Sequence, residues 1–318
     1  MRLEYQLAIA FGLDLVLGDP RWLPHPVKVV GRFAAGLERP LRGLVPSARW
    51  AGMLTVTTVL GATGTATWLV LQMATRMHPL AGDVAAILLL WTCLAARDLI
   101  DHSGRVRRAL AGGDLVEARR RVGMMVGRDT DALSEPEVVR ATVESVAENL
   151  VDGVTAPLFF AVLGGPVGAM LYKAANTLDS TFGYKNERWI EFGWASARFD
   201  DLVNWLPARL TAPLVPMAAA LLGLRPVQAA RIARRDSLKH PSPNAGLAEA
   251  AVAGALGVQL GGRNYYFGRA SERPRLGDPL QTLAPRHIGE ANRLMLTTSC
   301  LALLVFAGLR MLIQGLWV

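Results

Sequence analysis

Between Trp50 and Thr75 the chain carries no charged residue. As an α-helix rising about 1.5 Å per residue, such a run crosses the roughly 30 Å hydrocarbon core of a bilayer. A second uncharged run extends from Leu294 to Leu309, and after Arg310 the chain stays apolar to Val318. Residues 3–18 and 79–96 add two further apolar stretches, the latter with Asp83 near its start. In lipid every backbone N–H and C=O needs a partner within the chain, so segments of this length fold as helices. The expected fold class is all-α: a polytopic integral membrane protein with large helical polar loops. The expected organisation is a single membrane-embedded domain over 1–318. A soluble helical insertion occupies 97–152, and a polar loop region at 225–293 holds a packed, Gly/Ala-rich helix.

Hydrophobic residues make up 52% of the 318 and charged residues 19%, against roughly 25% charged in soluble domains. The net charge is +8 over 34 basic residues, of which only Lys28, Lys173, Lys185 and Lys239 are lysines. Arg32, Arg39, Arg42 and Arg49 follow the first helix, which places that region on the cytoplasmic side. The basic balance suits such loops and an anionic ligand rather than nucleic acid. No nucleic-acid motif and no GxxxxGK[ST] phosphate loop is present. Cys93 and Cys300 lie in apolar segments, form no CxxC or metal pattern, and read as small core residues.

The polar blocks concentrate around residues 144–188. Glu144, Glu148 and Asp152 recur at i, i+4, which stacks three carboxylates on one helix face. Like charges so spaced repel. Ser134 and Glu137 form a capping box that starts this helix, so the acids fall in its C-terminal half, where the macrodipole disfavours them. Two local rules broken at one place mark a candidate site, and a divalent cation or basic cluster would reverse the repulsion. An uncharged segment follows, 153–172, divided by Gly164-Gly165-Pro166. Two arms of about ten residues are each too short to span, so the segment is expected to form a re-entrant helical hairpin near 153–176 with its turn buried in protein. Beyond it Asn176, Asp179, Lys185 and Asn186 mix amides, an acid and a lysine, a combination suited to phosphate and metal.

Other blocks carry further candidates beside ordinary structural readings. Asp98, Asp101 and His102 share a helix, where a histidine is commonly just exposed. Asp14, Asp19, His25 and Lys28 cluster around a proline-stiffened loop, more often a turn than a ligand site. Asp200 and Asn204 stand at i, i+4 beside Asp201. Lys239, His240 and Asn244 lead into a Gly/Ala-rich helix, and 263–286 reads as loop.

The blocks LGDPRWLPHPVKVVGR, ARDLIDHSGRVRRAL, VGRDT, VESVAENLVDGVTAPLFF, YKAANTLDSTFGYKNER, ARFDDLVNWLPARL and RRDSLKHPSPNAG run in order over nearly the whole chain. Together they resemble the adenosylcobinamide-phosphate synthase family, membrane proteins of the CobD/CbiB type in cobalamin biosynthesis. The resemblance implies an acid–amine ligase in the bacterial inner (cytoplasmic) membrane. It would join (R)-1-amino-2-propanol or its O-phosphate to the propionate carboxylate of adenosylcobyric acid, with ATP as co-substrate and Mg²⁺. Membrane lipid and other late corrinoid-pathway membrane enzymes are the implied partners. On this reading Glu144, Glu148, Asp152, Asp200 and Asp201 hold metal. Asp98, His102, Glu148, Asp152, Asp179 and Lys185 are catalytic. Lys28, Arg128, Asn149, Lys173, Asn176, Arg209, Lys239, His240 and Asn244 bind substrate and phosphate. A membrane prenyltransferase is the alternative enzyme, because Asp200-Asp201 and Glu148 to Asp152 imitate two acidic diphosphate–Mg²⁺ motifs. A non-catalytic sensor or transporter is the alternative of another class, but most charges lie in loops rather than along an intramembrane path.

Overall fold

A computed structural model describes residues 1–20, 25–184 and 186–315, the side chains of 313–315 apart. The chain divides into two compact units. One comprises Met1–Ala95, Asp152–Asn204 and Val305–Val318, the other Ala96–Val151 and Trp205–Leu304.

In the first unit α1 (Leu3–Leu17) packs on α4 (Pro79–Trp91), while α2 (Pro26–Leu44), α3 (Ala48–Met77) and α8 (Ala156–Phe182) pack on one another. Val30 and Ala34 of α2, Val56 and Val59 of α3, and Ala174, Leu178 and Phe182 of α8 bury together with Phe192. The Phe192 carbonyl lies so close to α3 that Gly52 has no room for a Cβ. His25 caps α2: its Nδ1 accepts the Val27 N–H at 3.3 Å, and its Nε2 lies 3.2 Å from Asp19. The histidine of the proline-rich loop is thus a helix cap.

The uncharged segment 153–172 does reverse. Gly164 (φ −125°) and Gly165 (φ +60°, ψ −151°) break α8, and the Gly165 conformation is one that side-chain-bearing residues avoid. Phe160 then stacks on Tyr172 with centroids 5.2 Å apart, and Gly168 admits the Phe160 carbonyl. The turn itself is at the surface, not buried in protein as its sequence suggests: Leu163 is 64% exposed. The carbonyl of Val162, freed by the break, instead accepts from Arg310 Nη1 at 2.6 Å, and Arg310 also lies 3.2 Å from Glu4. A guanidinium from α13 (Arg286–Gly315) meets the backbone need that burial would otherwise have to meet.

By length and apolarity four segments qualify to cross a bilayer: Ala48–Met77, Pro79–Ala111, Glu135–Phe182 and Arg286–Leu312. The second is interrupted at 92–95. The third contains the reversal, and the arm after it, 166–182, reaches only about 25 Å as helix.

In the second unit α5 (Ala96–Ala111), α6 (Leu115–Val122) and α7 (Glu135–Leu150) pack together. So do α10 (Leu214–Leu221), α11 (Pro226–Asp236) and α12 (Ala245–Leu256), and α12 also packs on α7. The capping box forms as its spacing predicts, the Glu137 carboxylate accepting the Ser134 N–H at 2.8 Å. One segment departs from expectation. Residues 260–276, read in large part as loop, make an antiparallel hairpin of β1 (Leu260–Tyr266) and β2 (Arg269–Leu276). Its turn places Phe267 and Gly268 at φ 53° and 74°. Phenylalanine is a poor residue for that conformation. The turn is held from afar: the Asp129 carboxylate accepts the Phe267 and Gly268 N–H groups at 3.1 and 2.7 Å, and Asp129 N–H donates to Tyr265 at 2.8 Å.

Candidate active site

Helix α7 stops at Leu150, and the chain widens into a π turn over Val151–Thr155 that carries Asp152. Single π turns recur at functional sites because they re-aim one side chain out of the regular ladder. Asp152 therefore belongs to the first unit, at the foot of the hairpin's first arm. The second arm presents Tyr172, Lys173 and Asn176 to it. Asn176 Nδ2 lies 3.5 Å from Asp152 Oδ2 and 3.5 Å from Asp200 Oδ1, so two carboxylates converge on one amide. Lys173 Nζ lies 3.5 Å from the Asp152 carbonyl oxygen. Asp200 and Asn204 come from α9 (Trp194–Thr211). Asn204 Nδ2 donates to Asp200 at 3.0 Å, and the buried Tyr172 hydroxyl donates to Asn204 Oδ1 at 2.9 Å. The i, i+4 spacing of Asp200 and Asn204 thus sets a relay from Tyr172 to the acids. Asp200 keeps an accessible edge, but the protein around its carboxyl and the nearby Asp179 charge push it up to about 7.

The second unit buries a different polar cluster, around Glu144. One Glu144 oxygen accepts from Arg128 and the other from the Gly261 N–H at 2.7 Å. Arg128 also donates to Asn264 Oδ1 at 2.6 Å, as does Arg140 at 3.1 Å. Glu144 is held in an ion pair with Arg128. Their side chains are 4% and 6% exposed, where an unpartnered charge would be very unfavourable. Close by, His240 Nε2 lies 3.5 Å from Glu249 Oε1, and the Ser242 N–H donates to His240 Nδ1 at 3.1 Å. Burial, with the charges of Glu144 and Glu148, raises Glu249 well above the usual carboxylate range; burial lowers His240.

The remaining candidates fall into place individually. Lys239 donates to the fully buried Asp236 at 2.6 Å, which Arg235 and the Gly277 N–H serve as well. Arg209 lies over the Trp205 ring at 4.2 Å and donates to Asn244 Oδ1 at 3.3 Å. Asn149 donates back to the Ser145 carbonyl at 2.9 Å. Glu148 and Lys28 are exposed, while Asp98, His102, Asp179 and Asp201 are half-buried. Lys185 lies outside the described residues. Sequence reasoning missed Arg140, Glu249, Asn264 and Tyr172. Glu249 had a visible signal, as the one acid within the apolar helix 245–256. The others had none, because their partners are remote in sequence.

No group of three or more acidic, histidine or cysteine side chains is arranged to cage a metal among the described residues. Two convergent carboxylates with an amide between them suit a hard cation that arrives carrying phosphate, since Mg²⁺ commonly takes one or two carboxylates and keeps its remaining positions for water and phosphate oxygens.

Residues 7–295 match the model of the CobD/Cbib protein family. The chain is 54% identical to the Cobalamin biosynthesis protein CobD of Geobacter metallireducens over 295 residues, 93% of each chain. It is 48% identical to that of Pelobacter propionicus, covering 98% of this chain and 97% of the relative. It is 44% identical to the Cobalamin biosynthesis protein CbiB of Salmonella choleraesuis, covering 97% and 98%. No solved structure matches. With end-to-end similarity of this extent, and the polar blocks assembled in a helical, bilayer-length scaffold, the chain belongs to the CobD/CbiB family of cobalamin-biosynthesis proteins.

Proposed function

We propose that this protein is an adenosylcobinamide-phosphate synthase of the bacterial inner membrane. It joins the amine of (R)-1-amino-2-propanol, or of its O-phosphate, to the propionate carboxylate of adenosylcobyric acid at the expense of ATP. The observation that carries the reading is the convergence of Asp152 and Asp200 on Asn176, with Lys173 beside them, at the foot of the hairpin. A carboxylate is a poor acyl donor, so it needs activation. Its oxygen attacks the γ-phosphorus, the bond to ADP breaks, and an acyl phosphate results. The amine nitrogen then attacks the acyl carbon, the carbon–oxygen bond to phosphate breaks, and the former ammonium loses two protons on becoming an amide.

Asp152 and Asp200 are the residues that would hold Mg²⁺, and a bound cation would offset the burial and the Asp179 charge that make an ionised Asp200 unfavourable. When bound, the ion supplies charge neutralisation on the transferred phosphoryl group. Lys173 places an ammonium against the same acids, where it favours the phosphate and acyl oxygens as charge develops on them. Asn176 fixes both carboxylates relative to the second arm. Tyr172 and Asn204 hold Asp200 in orientation from the dry side. Pre-set geometry of this kind is the main thing a phosphoryl-transfer site contributes.

The test uses membranes containing the full chain, adenosylcobyric acid, aminopropanol or its phosphate, ATP and Mg²⁺. Mass spectrometry should find the amide product only with ATP present. Amide formation without ATP, or none in any combination, removes the ligase reading.

A further inference from the structure

The second unit contains a cleft of about 430 Å³ between one face of α5 and the start of α13. Four arginines line it: Arg107 and Arg108 from α5, Arg286 and Arg293 from α13. The opposing acids are Asp101 and Glu290, and Asp101 is already paired with Arg97 at 3.2 Å. Arg286 donates to Gln281 at 2.5 Å. Arg107, Arg108 and Arg293 make no ion pair or hydrogen bond among the described residues. Elsewhere in this unit arginines find carboxylates: Arg120 and Arg121 with Glu117, Arg128 with Glu144, Arg235 with Asp236, Arg263 with Glu272.

The positions are regular. Residues 286, 290 and 293 share a helical face, as do 101, 104 and 108. Gly104 and Gly289 carry no side chain at the facing positions and leave the guanidinium groups room, with Arg107 Nη1 3.5 Å from where a Gly289 Cβ would stand. A positive-inside bias accounts for many arginines near a membrane but does not gather four around one concavity, where they repel one another. Guanidinium forks match phosphate oxygens two at a time, and the cleft is of the size that holds a small ligand.

We propose that this cleft is a binding site for a phosphate-bearing anion, either a soluble polyphosphate or the headgroup of an anionic lipid. It does not depend on the ligase reading, because binding is measured without turnover. The full chain is purified into phosphatidylcholine nanodiscs and titrated calorimetrically with inorganic pyrophosphate and then ATP. A parallel preparation contains phosphatidylglycerol. Wild type should bind pyrophosphate, more weakly as salt rises. Arg107→Ala/Arg293→Ala should bind at least about tenfold more weakly, while Arg263→Ala, an exposed arginine outside the cleft, should match wild type. Displacement of pyrophosphate by ATP assigns a soluble ligand, whereas its exclusion by phosphatidylglycerol assigns a lipid headgroup. If the double variant misfolds, the single Arg107→Gln and Arg293→Gln variants take its place. Unchanged pyrophosphate binding and unchanged lipid response in variants with a wild-type melting transition would overturn the proposal, as would absence of both in wild type.

Discussion

The two polar clusters teach opposite lessons. Around Glu144 the carboxylate is answered at short range: Arg128 and the Gly261 N–H take its two oxygens, and Asn264 receives Arg128 and Arg140. Around Asp152, Lys173 and Asn176 approach at 3.5 Å, and Asp200 is pushed up to about 7. In the first cluster both Glu144 oxygens are taken, and the pairing holds β1 to α7. The second brings two carboxylates to one amide, Asn176. Acids at regular helical spacing thus end in two environments, and their partners, not their spacing, separate them.

The largest effect should come from breaking the Glu144 cluster. Glu144→Ala strands a buried guanidinium and should destabilise the protein by about 3–5 kcal/mol, with Arg128→Met/Glu144→Leu recovering most of the loss. Thermal unfolding in detergent measures both, and a Glu144→Ala melting point equal to wild type would erase the contrast.

The complementary change is Asp152→Asn. It should leave the melting transition within about 0.5 kcal/mol of wild type while ligation falls at least about 100-fold. Wild-type turnover at limiting Mg²⁺ would take Asp152 out of the site.

A smaller effect tests the scaffold. At Gly165 nothing crowds a Cβ, so Gly165→Ala isolates the backbone strain at φ +60° and should destabilise by about 1–3 kcal/mol. Gly164→Ala, at negative φ, should be milder. Equal tolerance at both positions would argue against the reversal.

The smallest effect concerns pH. The folded value of Asp200, about 7, lies above its ordinary 3.8. The folded state therefore binds the extra proton between those values, so this group's stabilising contribution is full below about 4 and is lost as pH rises to about 7. Asp200→Asn should lack that loss and be the more stable protein at pH 8 without Mg²⁺, though inactive. A constant stability difference between wild type and variant from pH 4 to 8 would show that Asp200 is not perturbed.

Much of this protein is legible along the chain because the relevant physics is local. The charge-free run before Arg76 demands a long helix, Ser134 and Glu137 start α7 through a bond three residues apart, and Gly164-Gly165-Pro166 reverses a segment too short to cross. Asp200 and Asn204 find each other one helical turn apart. What spacing cannot encode is the partner that arrives from far along the chain. Glu144 and Asp152 look alike in sequence, yet a π turn separates them, and Arg128 with Gly261 claims one while Asn176 claims the other. The hairpin at 260–276 was hidden for the same reason: an unfavourable Phe267 turn forms because Asp129, far earlier in the chain, binds its backbone. Local spacing determines which segments are helical and where they break. Burial and long-range pairing, which depend on the folded neighbourhood of each charge, decide whether an acid is locked in an ion pair or set beside another carboxylate.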